Sequence, residues 1–235
     1  MPAIVNPALS LTLEEVSAGW GARRARLDSP RMRERVSEIL AQMEAERWLQ
    51  PRASYGVRDV IAAGPGWMEV SGGLRMHAPS LGHRLRGASH LAAFVLTLGP
   101  VFENQVSKWF TEGDRLRAVI LDDIGTLALH RLGAALERQI HEEASFQGLD
   151  WSGVLSPGDD DFDLRDQKAL LDIADGAGIG VSLTGTCMLS PRKSVTAVMG
   201  FGKKMLKWSR EETCATCKSR ARCPHRAVFA EAVAP

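Results

Sequence analysis

Several classes of protein are excluded by what the sequence lacks. The 235 residues include one tyrosine, and aromatic residues make up 6% of the chain, so we expect no aromatic surface for stacking nucleic-acid bases. A formal net charge of +1 provides no attraction to nucleic acid or to an anionic membrane. The chain has no apolar run long enough to span a membrane and no signal-peptide pattern at its start. We therefore expect a cytoplasmic protein that binds neither nucleic acid nor membrane.

Common catalytic and nucleotide-binding motifs are missing as well. The chain has no Walker loop, no G-x-G-x-x-G motif after a strand and no Ser-His-Asp order. The glycine-rich segment 176–180 follows a predicted helix, which is the wrong side for a phosphate cradle. Four cysteines, three of them near the C-terminus, do not resemble a disulfide framework. A hydrophobic content of 45% is ordinary for a globular protein of this length.

The pattern of apolar residues predicts helices and strands together. Ser29 and Pro30 are typical of a helix N-cap and first helical position. Segment 114–146 predicts a long helix, apolar nearly all round in its first half and therefore buried between layers. Gly125, inside that helix, indicates a close approach by another backbone or a bend. The apolar run 90–98 predicts a buried central strand. Further strands are predicted at 57–62, 67–70 and 74–77.

The segment 155–202 predicts a turn, a short helix and two strands. Ser156-Pro157-Gly158 is typical of a tight turn, and Asp163 is well placed to cap the helix. Strands 181–183 and 194–200, joined through Pro191, are predicted to be antiparallel neighbours. The fold class predicted from these elements is α+β, with a central, mostly antiparallel sheet packed by helices and followed by a cysteine-rich tail.

The tail carries the strongest local chemical signal. Cys214 and Cys217 are separated by two residues, a spacing that allows both thiolates to bind one metal, and Cys223 adds a third. Cys187 or His225 is the candidate for a fourth ligand. Zinc and an iron–sulfur cluster are both chemically allowed. The alternatives are a flexible tail with three free thiols and, for Cys187, a small buried apolar residue. We therefore predict a main domain at 1–202 and a metal-binding tail at 203–235.

Two other features are weaker candidates for a site. The three consecutive acidic residues 159–161 would suit a bound cation or, alternatively, a solvated acidic loop. His130 lies within the long predicted helix, where a single histidine is structural, exposed or functional.

Several short motifs, in order, resemble the activation (reactivation) domain of cobalamin-dependent methionine synthase. The resemblance covers about residues 90–202 and is clearest in its C-terminal half. The upstream motifs are Thr97-Leu98-Gly99 and Leu121-Asp122-Asp123-Ile124-Gly125. The downstream motifs are Ser156-Pro157-Gly158, Leu164 with Gln167, Gly180-Val181 before Leu183-Thr184, and Pro191-Arg192-Lys193-Ser194-Val195.

The resemblance implies a fold and a function. In that family the domain binds S-adenosylmethionine in a shallow groove at an edge of an antiparallel sheet. It docks on the cobalamin domain so that cob(II)alamin can be reduced and remethylated. The resemblance therefore implies that Ser156, Pro157, Gly158 and Asp159 line the groove together with Arg192, Lys193 and Ser194. It also implies a corrinoid-binding protein or methionine synthase subunit as partner, and its reductive chemistry favours an iron–sulfur cluster over zinc in the tail.

The chain departs from the family pattern at three positions. Val154 replaces an arginine before the turn, Asp159 replaces a tyrosine after it, and His130 falls about where an acidic residue is expected in the long helix. Without the arginine, the methionyl carboxylate lacks a bidentate partner, so we expect no tight binding of S-adenosylmethionine. Stand-alone relatives of this domain resemble this chain in ending with a cysteine cluster. These features favour an accessory protein for a B12-dependent methyltransferase; the alternative is a non-catalytic docking module with structural zinc.

Overall fold

The computed structural model describes residues 2–6, 8–19, 29–159, 162–217 and 220–221. The helices in these ranges are α1 (Leu13–Gly19), α2 (Pro30–Ala45), α3 (Pro79–Arg84), α4 (Pro100–Thr111), α5 (Arg115–Phe146), α6 (Gln167–Ala174) and α7 (Arg210–Thr216). The strands are β1 (Ala3–Val5), β2 (Arg52–Gly64), β3 (Trp67–Val70), β4 (Leu74–His77), β5 (His90–Thr97), β6 (Asp150–Leu155), β7 (Ser182–Leu183), β8 (Leu189–Ser190) and β9 (Ser194–Gly202).

Most of the strands form one sheet in the order β4-β3-β2-β5-β9-β6, in which all neighbours are antiparallel. β1 pairs with the first part of β2, and β7 and β8 form a separate two-stranded sheet. Strand β5 lies in the interior of the large sheet and is buried from Leu91 to Thr97, as its apolar run predicts. The predicted α+β class, with a mostly antiparallel central sheet, is confirmed.

Helices cover both faces of the sheet. On the first face, α2, α4 and α5 pack on β2, β5 and β9 through a core that includes Ile39, Phe94, Phe102, Ile124 and Met199. On the second face, α3 and α6 pack on β3, β4 and β5 through a smaller core that includes Met68, Leu81, Leu91, Ile173 and Val198. The two cores use alternate residues of the same strands, because successive side chains of a strand point to opposite faces.

Local capping signals in the sequence begin the helices where expected. The Ser29 hydroxyl accepts a hydrogen bond from the Met32 backbone N–H at 3.3 Å, and Pro30 is the first residue of α2. The Asp114 carboxylate accepts from the Arg117 backbone N–H at 3.3 Å at the start of α5. These side chains satisfy N–H groups that have no partner within the helix.

The burial expected all round the first half of α5 is wrong, and so is the backbone neighbour expected at Gly125, for which a bend stays a prediction. Leu116 and Val119, in its first half, are about half exposed, because one side of this helix faces the sheet and the other faces solvent. The close neighbour of Gly125 is a side chain rather than a backbone: a Cβ there would lie 2.4 Å from the Phe102 ring. Among the described helices, none is both long and apolar enough to cross a membrane.

The predicted pairing of 181–183 with 194–200 is also wrong. Ser182–Leu183 pairs with Leu189–Ser190 in the small sheet, whereas β9 lies between β5 and β6. β6, which was not predicted, takes the place beside β9. Its sequence contains Gly153 and lacks a clear alternation, so periodicity gave no strand signal.

Candidate functional site

The predicted turn lies where β6 leaves the sheet. The Asp159 backbone N–H donates to the Ser156 carbonyl at 2.9 Å, and Gly158 has φ +96°. With Pro157 at the second position and glycine at the third, this is the arrangement of a type II turn. The Asp159 carboxylate also accepts from the Ser156 backbone N–H at 3.0 Å, so Asp159 helps to close the turn.

The turn borders an edge of β9. Pairing between β6 and β9 runs as far as Leu155 opposite Val198, and β9 begins at Ser194. Within the described part of the chain, residues 194–197 of β9 have no strand partner on the β6 side. The buried Gln167 of α6 donates to the Cys187 carbonyl at 2.6 Å and accepts from the Thr196 hydroxyl at 3.4 Å. The β7–β8 hairpin and α6 therefore border the same edge as the turn.

Arg192, Lys193 and Ser194 contact the opposite side of β9. The Arg192 backbone N–H and Nε donate to the Glu103 carboxylate of α4 at 2.6 and 2.8 Å. The Lys193 ammonium, largely buried, lies 2.9 Å from both the Asp122 carboxylate and the Thr126 hydroxyl of α5. The Ser194 hydroxyl donates to the Thr97 hydroxyl of β5 at 2.8 Å. These groups join β9 to α4, α5 and β5.

His130 lies in a different environment from the turn. It lines a cavity of about 590 Å³ between α5 and the N-terminal segment, together with Leu9, Glu15, Arg131 and Arg138. An ion pair of 2.6 Å between Arg131 and Glu15 spans this region. Neither the Ser156–Asp159 turn nor Arg192–Ser194 contributes to the cavity lining. The structure therefore does not bring His130 together with the other predicted groove residues.

The cations among the described residues of the predicted groove are already paired with carboxylates. Val154, at the position of the family arginine, is 9% exposed and belongs to the apolar core of the first face. The nearby cations of the predicted groove, Arg192 and Lys193, are already paired with Glu103 and Asp122. Asp159 adds a negative charge at the turn.

Asp163, predicted to cap this helix, accepts a hydrogen bond from the Arg165 backbone N–H at 2.8 Å in the turn just before α6, whereas Asp166 was not identified from the sequence. Hydrogen bonds from the Arg165 side chain and backbone lower the pKa of Asp163 to about 2. Burial raises the pKa of Asp166, whose carboxylate accepts from the His77 backbone N–H at 2.8 Å. These interactions connect the start of α6 to the edge strand β4.

The segment after β9 packs against β6 before it reaches the cysteines. A Cβ on Gly153 would lie 2.4 Å from the Trp208 indole and 2.5 Å from its carbonyl oxygen, so only glycine fits beneath Trp208. The Arg84 guanidinium lies 5.0 Å from the centre of the indole ring. Asp150 pairs with Lys207 at 2.8 Å and accepts from the Met205 backbone N–H at 3.1 Å. The first residues beyond the predicted boundary at 202 therefore pack on the sheet.

Cys214 and Cys217, which are separated by two residues in the sequence, lie at the end of α7. Ser209 and Glu212 form a capping box at its start, with hydrogen bonds of 3.2 and 2.6 Å. The Cys217 backbone N–H donates to the Cys214 carbonyl at 3.4 Å, which places both residues in one turn.

The described residues contain no group of three or more His, Cys, Asp or Glu side chains able to hold a metal, so Cys187 does not join Cys214 and Cys217 in such a group. Cys187 itself is half-buried, with φ +59°. Cys223 and His225 lie outside the described residues, as do Asp160 and Asp161 of the acidic loop. Metal binding by the tail and the division at 202 stay predictions.

Comparisons with known proteins support the fold alone. No protein-family model and no curated protein matches this chain. Among solved structures, the chain is similar to the MetH reactivation domain, whose crystal structure was determined bound to AdoHcy. The TM-score is 0.59 at 13% sequence identity, and the match covers 94% of this chain and 86% of that one. The likeness spans nearly the whole chain and shows a distant relationship to the MetH reactivation domain at the level of the fold.

Proposed function

We propose that this chain is an accessory protein for the corrinoid cofactor of a B12-dependent methyltransferase of the methionine synthase type. Its role would be the reactivation or reductive maintenance of that cofactor. The observation that carries the proposal is the fold shared with the MetH reactivation domain over 94% of the chain. The Ser156–Asp159 turn, beside the unpaired edge of β9, supports docking of the partner at this edge.

In this proposal a corrinoid-binding protein or methionine synthase subunit is the partner, and S-adenosylmethionine binds weakly. The neighbour was solved with AdoHcy, which favours an S-adenosyl ligand in the ancestral groove. Its carboxylate would find little positive charge in the predicted groove. A buried valine, Val154, stands at the arginine position, and Arg192 and Lys193 are already paired with carboxylates. We expect a dissociation constant in the millimolar range, about 1,000-fold above a micromolar one, because a charge-assisted bidentate contact is missing.

The tail would supply the redox component. We propose that Cys214, Cys217 and Cys223 hold an iron–sulfur cluster or zinc, with a fourth ligand from outside the described residues. The separation of Cys187 from the cysteines of α7 supports His225 over Cys187 as that ligand. An iron–sulfur cluster would supply one-electron chemistry, and zinc would supply only structure.

A second candidate function is a non-catalytic docking module with structural zinc. It is favoured by the burial of Val154 in the core, because a chain that has lost its ligand-binding cation can still present the fold to a partner. The metal in the tail discriminates between the two functions.

Partner binding is tested by titrating the full chain into a cob(II)alamin-loaded methionine synthase from which the reactivation domain has been removed. Saturable binding by calorimetry is expected. Gly158→Val should abolish it, because valine at φ +96° distorts the turn. Gly148→Val is the matched control, a second left-handed glycine outside the groove at φ +69°, and should bind as the unmodified chain does. Absence of binding by the unmodified chain would contradict the proposal.

The tail is tested by anaerobic purification followed by iron and zinc analysis and a visible spectrum. Stoichiometric iron with a bleachable visible absorption supports the redox role. Zinc without colour supports the docking module. Cys214→Ala should remove the metal in either case, whereas Cys187→Ala should retain it. A protein with neither metal would contradict metal binding.

A further inference from the structure

A recess of about 540 Å³ lies between the last turns of α5 and the start of the edge strand β6. This volume is in the range of small-molecule sites. The recess is lined by Arg138, His141, Glu142, Ser145 and Phe146 of α5 and by Trp151 of β6. Neither the Ser156–Asp159 turn nor Arg192–Ser194 contributes to this lining, so the recess is separate from the predicted groove.

Part of the recess is aromatic. Phe146 is the last residue of α5 and is 94% exposed. The Trp151 indole is held in place by the His141 ring, which stacks on it at 4.6 Å, and by the Lys207 ammonium, 4.4 Å from its ring centre. A ligand that covers Phe146 gains free energy that the fold itself does not use, because hydrophobic stabilisation grows with the apolar area removed from water.

Arg138 and Glu142 give the recess one charge of each sign. They are one helical turn apart on α5, and side chains at this spacing are neighbours. Both residues are exposed, and no side-chain hydrogen bond or ion pair within the described part of the chain includes either of them. An arginine four residues before a glutamate is the less favourable order for an ion pair within a helix. The two charged groups are therefore available to a ligand.

The charged and titratable groups around Trp151 add no net charge. The Lys207 ammonium pairs with the Asp150 carboxylate at 2.8 Å. Burial and the charge of Lys207 lower the pKa of His141, so its imidazole is neutral near pH 7. A ligand that carries both charges therefore fits the recess better than a simple anion or a simple cation, each of which would meet a like charge.

We propose that this recess binds a free α-amino acid with an apolar side chain. The carboxylate of the amino acid faces Arg138, whose guanidinium can hold both of its oxygens. The ammonium faces Glu142, and the side chain lies against Phe146 and Trp151. Both charged groups of an α-amino acid are attached to one carbon atom, which suits two partners that are neighbours on one helix face. This ligand site is additional to the partner binding proposed above and does not depend on it.

The test is titration of the nitrogen-15-labelled full chain with L-phenylalanine, followed by the NMR signal of the Trp151 indole N–H. The chain has six tryptophans, and Trp151→Phe identifies this signal by its loss. A saturable shift is expected. Phenylalanine amide lacks the carboxylate and N-acetylphenylalanine lacks the ammonium. Each should bind about fivefold more weakly than phenylalanine, because each loses one solvent-accessible ion pair.

Two variants assign the charged groups. Arg138→Gln should weaken the binding of phenylalanine about fivefold without weakening that of phenylalanine amide, which has no carboxylate to lose. Glu142→Gln should weaken the binding of phenylalanine about fivefold without weakening that of N-acetylphenylalanine. Arg31→Gln and Glu34→Gln are the matched controls, because both residues are exposed on α2 outside the recess, and binding should be unchanged.

Absence of a saturable shift of the Trp151 signal overturns the proposal. Equal binding of phenylalanine and its two derivatives overturns it too, because the recess would then take an apolar ligand of any charge. A variant that weakens all three ligands alike would act through the shape of the recess and would overturn the roles of Arg138 and Glu142.

Discussion

Strands β5 and β2 are neighbours in the sheet but have different sequences, because one lies entirely under helices and the other only in part. β5 is buried from Leu91 to Thr97 and reads as a continuous apolar run. β2 is buried at residues 53–56, and from Val57 its side chains are alternately exposed and half-buried. The transition falls two residues after Tyr55, whose hydroxyl donates to the Glu143 carboxylate of α5 at 2.6 Å. Continuous apolar character therefore marks the two-sided part of the sheet, and alternation marks the part with one open face.

The largest effect on stability should come from a substitution in the buried strand β5. Phe94 is 2% exposed in the middle of β5, and Phe94→Ala should lower the free energy of unfolding by about 3–5 kcal/mol, because it leaves a cavity in the main core. Urea denaturation followed by circular dichroism measures this. A loss below about 1 kcal/mol would mean that the core collapses around the site.

Substitutions at two glycines of α5, Gly125 and Gly133, distinguish the effect of side-chain packing from the effect of helix propensity. Gly125→Ala should destabilise the protein by about 1–3 kcal/mol, since its Cβ would collide with the Phe102 ring. At Gly133 nothing lies within 4 Å of a Cβ, and Gly133→Ala should stabilise by about 1 kcal/mol. Equal effects at the two positions, measured by denaturation, would contradict the close packing of Phe102.

The free energy of unfolding should depend on pH through His141, which lies where α5 packs on the edge strand β6. The His141 ring stacks on Trp151 at 4.6 Å, and its pKa is lowered by burial and by the charge of Lys207. The unfolded chain therefore binds the proton of this histidine more tightly than the folded chain does. The contribution of neutral His141 to the free energy of unfolding is fully present above the ordinary histidine pKa of 6.5, and it is lost as the pH falls through the lowered pKa of the folded state. His141→Phe should flatten this part of the stability–pH curve while it keeps the stack. An unchanged slope would assign the pH dependence to other groups.

The smallest effect on folding should come from the exposed part of β2, which begins at Val57. Ile61→Ala should change the free energy of unfolding of the monomer by no more than about 0.5 kcal/mol, because the side chain is 63% exposed and packs little within one chain. Denaturation at a low protein concentration measures this. A loss comparable with that of Phe94→Ala would show that the region is covered and would remove the contrast between the two parts of the sheet.

Features with local signals could be predicted from the sequence. The caps at Ser29 and Asp114, the buried strand at His90–Thr97 and the Ser156–Gly158 turn each depend on residues close together in the chain. Such signals require no knowledge of the tertiary contacts.

Features that depend on distant contacts could not be predicted. β6 owes its place to β9, and its Gly153 is required by Trp208, which follows much later in the chain. The partners of Arg192 and Lys193 lie on α4 and α5, so no local pattern showed that these cations are already paired. The burial of β2 as far as Gly56 likewise depends on distant contacts, such as the hydrogen bond between Tyr55 and Glu143 of α5.

The packing of Trp208 on Gly153 limits how far the cysteines that follow it can lie from β6. Cys214 follows six residues after this anchored indole. Six residues of fully extended chain span at most about 21 Å, and a helical segment spans less. A metal held by Cys214 would therefore lie within about that distance of Trp208, which packs on β6, the same strand that ends at the Ser156 turn. A partner seated at the turn would therefore meet the cysteines at a high effective concentration, without the need for any rigid contact between tail and groove.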